Sequence, residues 1–81
     1  MPILIFILVE QEAPGKDLKI EQIKEMSRQA AFAPALSSHK VCVIDAADRM
    51  TVEAANSLLK LLEEPPPNWM FILVASRLER L

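Results

Sequence analysis

The sequence contains few of the residues that carry most enzyme chemistry. Its 81 residues include one cysteine, one glycine and one histidine, and the formal net charge is −2. The single cysteine, Cys42, cannot form an internal disulfide, and it lies within an apolar run, which favours a buried thiol in a reduced, cytoplasmic setting. There is no tract of basic residues, so the charge pattern gives no indication of direct nucleic-acid binding.

The only glycine, Gly15, precedes Lys16 and invites comparison with the phosphate-binding P-loop. That motif requires a glycine five residues before Gly15, where this chain has Glu10. It also requires a serine or threonine after the lysine, where this chain has Asp17. Without these residues the backbone cannot surround phosphates and no hydroxyl reaches a metal ion. The residues around Gly15 therefore predict a surface turn, and no cofactor is predicted for this chain.

Long hydrophobic runs are also limited. The stretch "MPILIFILV" is far too short to cross a bilayer, and it lacks the basic start and the cleavage site of a signal peptide. It predicts instead a buried strand over 3–9, covered on both faces. With 52% hydrophobic and 25% charged residues, the composition indicates one small globular domain.

Four further elements are predicted along the chain. Apolar residues at helical spacing predict a helix that begins near Ile20 and is ended by Pro34. Apolar runs predict strands over 41–44 and 69–75, with a helix over 52–64 between them. Strands that alternate with helices predict an α/β fold, a parallel β-sheet with crossover helices.

The helix over 52–64 is the best defined of these elements. Thr51 is its predicted N-cap, because a threonine oxygen can accept a hydrogen bond from an unpaired N–H of the first turn. An apolar stripe is expected to face the sheet. It comprises Ala55, Leu58, Leu59 and Leu62, and Ala54 and Leu61 widen it.

Two polar residues follow strands of the predicted sheet, where function collects in such folds. Asp45 ends the run "VCVID", which has the form of a Walker B motif, whose carboxylate holds Mg²⁺ against nucleotide phosphates. Ser76 follows the last strand. Asp45 is alternatively a loop or N-cap residue, or the phospho-acceptor of a receiver-like signalling domain, with Glu10 and Glu12 as its acidic neighbours.

The segment after Asp45, "AADRMTVEAANSLLKLLEEPPPNWMFILVASRLERL", resembles the bacterial clamp-loader AAA+ ATPases of DNA polymerase III. The resemblance is closest to their delta-prime branch, with the gamma/tau branch as a near relative. The residues that carry it are Ala47, Asp48, Met50, Ala54, Ala55, Asn56, Leu58, Leu59, Lys60, Leu62, Glu63, Glu64, Pro65 and Pro66. It implies that residues 1–81 form a partial AAA+ nucleotide-binding domain, from Walker B to sensor 1, with neither Walker A nor the collar domain.

By this resemblance, Asp45 is a vestigial Walker B residue that would bind nucleotide and Mg²⁺, and Ser76 is the sensor 1 residue, unless Ala75 occupies that position. Hydrolysing members have a glutamate after the aspartate, which orients and polarises the attacking water. This chain has Ala46 there, so we expect no ATP hydrolysis, no catalytic residue and no resident metal ion. ATP and Mg²⁺ are expected only in a longer parent protein.

The resemblance implies a structural, subunit-contact role in DNA replication, in loading the sliding clamp on DNA. The expected partners are other clamp-loader subunits, with the sliding clamp and primer-template DNA reached only through the assembled complex. No membrane association is expected, and the expected location is cytoplasmic. An ATP-hydrolysing gamma/tau-type subunit remains an alternative.

Overall fold

The computed structural model describes residues 3–32 and 38–77. Strands and helices alternate along the chain, as predicted. The elements are β1 (Ile3–Val9), α1 (Ile20–Phe32), β2 (Ser38–Asp45), α2 (Val52–Glu63) and β3 (Trp69–Val74), with a turn of 3-10 helix at Ala47–Arg49. The predicted second strand starts later than the observed one, because β2 pairs with β1 from Ser38 onward. Pro34, the predicted end of the first helix, lies outside the described residues.

The three strands form one parallel sheet in the order β1-β2-β3. Its register aligns Phe6 with Val41 and Val43 with Ile72. The predicted α/β fold, with a parallel sheet and crossover helices, is confirmed. Because all three strands run in one direction, their carboxyl ends lie along a single edge of the sheet, which we call the carboxyl edge.

The hydrophobic core lies between one face of the sheet and the two helices. Helices α1 and α2 contact each other and cover the same face. Alternate residues of each strand point to that face, since successive side chains of a strand point in opposite directions. The core comprises Ile7, Val9, Leu18, Ile23, Met26, Ala30, Cys42, Ile44, Ala47, Ala54 and Leu58.

No helix among residues 3–32 and 38–77 covers the opposite face of the sheet. Leu4, Phe6 and Leu8 of β1 point to that side and are exposed. The prediction that residues 3–9 are covered on both faces is therefore wrong. An unbroken apolar run shows that every position tolerates burial, but burial itself depends on whether another layer of the protein packs there.

Helix α2 begins as predicted and faces the sheet with a narrower stripe than predicted. The Thr51 hydroxyl oxygen accepts a hydrogen bond from the Ala54 N–H at 3.2 Å, which confirms the N-cap. Ala54 and Leu58, four residues apart, are the buried residues of α2. The expectation that Leu59 faces the sheet is wrong: Leu58 is 2% exposed and Leu59 is 51% exposed. Adjacent residues of an α-helix differ by about 100° around its axis, so one turns outward when its neighbour is central to the contact.

Candidate functional site

Strand β2 carries Asp45 to the carboxyl edge of the sheet. Asp45 is the last residue of β2, pairs in register with Val74, and is exposed. Its Oδ1 accepts a hydrogen bond from the N–H of Ala46 at 2.9 Å. The carboxylate can therefore stay hydrated while its orientation is held by the backbone that follows it.

Ala46 has a left-handed backbone conformation, with φ 58° and ψ 45°. For a residue with a Cβ this conformation costs about 1–2 kcal/mol. It turns the chain directly from β2 into the 3-10 helix, where the N–H of Arg49 donates to the carbonyl of Ala46 at 2.8 Å. The side chain at this position is a methyl group, which can neither accept a proton from water nor orient it.

Ser76 lies at the same edge of the sheet, beyond the end of β3. Its hydroxyl donates to Oδ2 of Asp48 at 3.2 Å. The structure thus brings Ser76 to the loop that follows Asp45, and its hydrogen-bond partner there is Asp48. Of the two sensor 1 candidates, Ser76 has the polar side chain at this edge and Ala75 has none. That role of Ser76 stays a prediction.

Asp48 also belongs to the site, although the sequence indicated only that it matches the family and gave it no role. Oδ1 of Asp48 is buried and has no hydrogen-bond partner among the residues that the structure describes. Its carboxylate links the 3-10 helix to the chain after β3 through Ser76. Its position in the sequence could have indicated this role, because Asp48 lies three residues after Asp45, the aspartate that ends the strand.

Arg49 joins the loop after β1 to the loop after β2. Its guanidinium donates to the carbonyl of Gly15 and lies 3.2 Å from a carboxylate oxygen of Asp17. Backbone hydrogen bonds also connect the two loops. The Leu18 N–H donates to the Arg49 carbonyl at 3.0 Å, and the Thr51 N–H donates to the Leu18 carbonyl at 2.9 Å. Leu18 itself is fully buried. These contacts hold the two loops of the carboxyl edge together.

Gly15 and Lys16 form a turn, as the sequence predicts. The N–H of Lys16 donates to the carbonyl of Ala13 at 3.0 Å. Gly15 has φ 82°, the conformation that the third position of a Pro-Gly turn favours. A Cβ at Gly15 would meet no atom within 4 Å. The loop is therefore open at this point, and it has no P-loop sequence.

The only cysteine and the only histidine lie on opposite faces of the sheet. Cys42 is fully buried on the helix-covered face, and burial raises the pKa of its thiol. His39, three residues earlier on the same strand, is exposed on the open face. They cannot form a nucleophile–base pair, and the prediction of a buried core thiol is confirmed. Within residues 3–32 and 38–77, no three His, Cys, Asp or Glu residues are grouped as a metal site.

Residues 3–81 match the model of a protein family described as "DNA polymerase III, delta subunit". The chain belongs to this family. The delta-prime subunit of DNA polymerase III from Haemophilus influenzae is 41% identical over 61 residues, which are 75% of this chain and 19% of that protein. The delta-prime subunit from Bacillus subtilis is 39% identical over 67 residues, 83% of this chain and 20% of that protein. The tau subunit from Bacillus subtilis is 37% identical over 57 residues, 70% of this chain and 10% of that protein.

A solved structure has the same arrangement of strands and helices. It is a DNA polymerase III gamma subunit-related protein from Thermotoga maritima, which matches with a TM-score of 0.74 over 99% of this chain and 36% of that protein. At 24% identity, this likeness shows the fold alone, a parallel sheet with crossover helices. The chain spans about a fifth of the length of the two delta-prime relatives. No described helix is long and apolar enough to cross a membrane.

Proposed function

We propose that this chain is part of a delta-prime-like clamp-loader subunit that acts in DNA replication as a scaffold for subunit contacts. Residues 1–81 would be a partial nucleotide-binding domain that does not itself hydrolyse ATP. The observation that carries this proposal is the pair Asp45–Ala46 at the carboxyl edge: a carboxylate suited to Mg²⁺ stands next to a methyl group.

The chemistry of the edge supports a role without hydrolysis. Hydrolysis requires a side chain that accepts a proton from the attacking water or orients it, and Ala46 has no such group. The nearby carboxylate of Asp48 already accepts the hydroxyl of Ser76. Asp45 alone fits Mg²⁺, which prefers oxygen ligands. The loop at 10–19 lacks the P-loop residues that would surround phosphates, so this segment holds only part of a nucleotide site.

The proposed partners follow from the family. Other clamp-loader subunits would contact this protein directly, and the sliding clamp and primer-template DNA would be reached through the assembled complex. With a net charge of −2, the chain offers no general attraction for the phosphate backbone. The proposed location is cytoplasmic, where the replication machinery of bacteria works.

A gamma/tau-type subunit that hydrolyses ATP is the second candidate, because the Bacillus subtilis tau subunit is 37% identical over 57 residues. Ala46 distinguishes the two, since a hydrolysing subunit needs a polar group at that position. The receiver-like alternative, with Asp45 as phospho-acceptor, has no support from the family to which the chain belongs.

The assembly role can be tested with a chimera. The 61 matched residues of the Haemophilus influenzae delta-prime subunit would be replaced by the corresponding residues of this chain. The chimera would then be mixed with the other clamp-loader subunits of that organism. We expect co-elution of the complex in size-exclusion chromatography, as with the unmodified subunit. A chimera that folds, as judged by circular dichroism, and does not assemble would contradict the proposal.

Hydrolysis is tested on the purified chain. We expect no ATP turnover above background, and the same background for Asp45→Asn. Turnover that Asp45→Asn abolishes would overturn the expectation that this chain does not hydrolyse ATP.

A further inference from the structure

The 3-10 helix at Ala47–Arg49 contacts the segments that follow both outer strands of the sheet. Its last residue, Arg49, donates to the Gly15 carbonyl in the loop after β1. The residue before it, Asp48, accepts the Ser76 hydroxyl from the chain after β3 at 3.2 Å. Two adjacent side chains of one short helix thus reach towards the two strands that flank β2.

These two segments have no direct connection. Strands β1 and β3 lie on either side of β2, so they are roughly 10 Å apart. No hydrogen bond or ion pair of the described residues joins the loop at 10–19 to residues 75–77. Substitutions that far apart, with no shared partner, normally have additive effects on stability. A departure from additivity would therefore have to pass through the 3-10 helix.

The 3-10 helix is held firmly enough to transmit such a coupling. Ala47 is 1% exposed and belongs to the core. The Arg49 N–H donates to the Ala46 carbonyl at 2.8 Å. The Met50 N–H donates to the Ala47 carbonyl at 3.2 Å. With its backbone fixed in this way, the turn moves as one unit, so a shift of Asp48 is also a shift of Arg49.

Both side chains depend on the contacts that they make outside the turn. Oδ1 of Asp48 and Nε of Arg49 are buried and have no hydrogen-bond partner among residues 3–32 and 38–77. A buried polar atom without a partner is costly, so each side chain stays in place through its remaining bonds. For Asp48, the remaining bond to a described side chain is the one from Ser76. If that bond is lost, the carboxylate gains by turning towards water, and the turn that carries it, Arg49 included, shifts with it.

We propose that the 3-10 helix couples the loop after β1 to the chain after β3, so that losing the contact on one side weakens the contact on the other. Asp48 and Arg49 are the coupling residues. Asp45 lies at the same edge, between the two segments, so a ligand or a neighbouring subunit that contacts one segment would also change the other. The coupling concerns only this chain's own residues and goes beyond the proposed clamp-loader role, so either proposal can fail without the other.

A double-mutant cycle tests the coupling. Ser76→Ala removes the hydroxyl, and Arg49→Met removes the guanidinium while keeping a stem of similar length. Urea denaturation of the two single variants, the double variant and the parent measures the folding equilibrium constant. We expect Ser76→Ala to lower this constant by about three- to tenfold in the parent. In Arg49→Met it should lower the constant by less than about twofold, because the contact is already weakened there.

Arg28→Met is the matched control for this cycle. Arg28 pairs with Glu25 within α1, away from the turn, so Ser76→Ala should have its full effect in that background. If Arg49→Met does not fold, as judged by circular dichroism, Asp17→Ala replaces it, because that change removes only the ion pair of Arg49 and the Asp17 side chain is 58% exposed. The same effect of Ser76→Ala in every background, or no effect in the parent, overturns the proposal.

Hydrogen exchange tests the same coupling in the folded protein. The Leu18 N–H donates to the Arg49 carbonyl at 3.0 Å, on the far side of β2 from Ser76. Ser76→Ala should raise the exchange rate of the Leu18 N–H by at least about threefold relative to that of Ile44 in the central strand, because local opening at the turn becomes easier while the sheet keeps its stability. Ser57→Ala on α2 is the matched control and should leave this ratio unchanged. A ratio that Ser76→Ala does not change overturns the proposal.

Discussion

Two adjacent leucines of α2 allow a matched test of which side of the helix stabilises the fold. Leu58 is 2% exposed and belongs to the core, whereas Leu59 is 51% exposed. We expect Leu58→Ala to destabilise the protein far more than Leu59→Ala. The two changes remove the same atoms from neighbouring positions of one helix, so their effects on helix propensity and on the unfolded chain cancel in the comparison.

The expected magnitude follows from burial. Truncating leucine to alanine removes apolar groups worth about 0.8 kcal/mol per buried CH₂, so the transfer part at Leu58 is roughly 2.4 kcal/mol. The cavity left between α2 and the sheet adds to this, which gives about 3–5 kcal/mol in all. Because Leu59 is about half exposed, Leu59→Ala loses only about half of this transfer free energy. No enclosed cavity forms there, so the expected loss of stability is about 1 kcal/mol. A chain of this length has a total stability of roughly 4–12 kcal/mol, so Leu58→Ala should remove a large part of it.

Urea denaturation of both variants and the parent, followed by the fluorescence of Trp69, measures the difference. It should be done at about 1 μM protein, where association contributes least to the apparent stability. Equal losses for the two variants, or a larger loss for Leu59→Ala, would refute the assignment of the sheet-facing stripe to Ala54 and Leu58.

Three further predictions concern single residues. Ala46→Gly should raise the free energy of unfolding by about 0.5–1 kcal/mol, because glycine has no steric penalty in the left-handed conformation; a lower urea midpoint would contradict this. Asp45→Asn should change that free energy by less than about 1 kcal/mol, because the site is exposed and the amide oxygen can still accept from the Ala46 N–H; a large loss in urea denaturation would make Asp45 a structural residue. Cys42 should react with a thiol reagent at pH 8 only when the protein unfolds, since it is fully buried and its raised pKa reduces the thiolate fraction. Fast labelling without denaturant would show that the thiol is accessible in the folded protein and would contradict this.

The order and type of the elements could be predicted because each has a strong local signal. The strands are unbroken apolar runs, the helices have apolar residues at helical spacing, and Thr51 and the prolines after Glu64 bound α2. The exposure of Leu4, Phe6 and Leu8 could not be predicted in this way. The residues of β1 are apolar on both sides, and which side is buried depends on what packs against the strand, not on the strand itself.

The candidate site was predictable in part, for a related reason. Because the strands are parallel, Asp45 and Ser76 lie at the same edge of the sheet regardless of their side-chain contacts. The order of the elements was therefore enough to predict that they share this edge. The hydrogen bond from Ser76 to Asp48 depends on the 3-10 turn, which in turn depends on the left-handed Ala46. Nothing in the residue type of Ala46 indicates that conformation, because alanine rarely adopts it.

The left-handed conformation of Ala46 is explained by the contacts around it. Strain of about 1–2 kcal/mol persists only where surrounding contacts determine the backbone more strongly than the residue itself does. At this position the Arg49 N–H donates to the Ala46 carbonyl, the Arg49 guanidinium donates to the loop after β1, and the Leu18 backbone bonds to both Arg49 and Thr51. These contacts join the loop after β1 to the loop after β2, so the turn that brings Asp48 to Ser76 is fixed by hydrogen bonds within the protein.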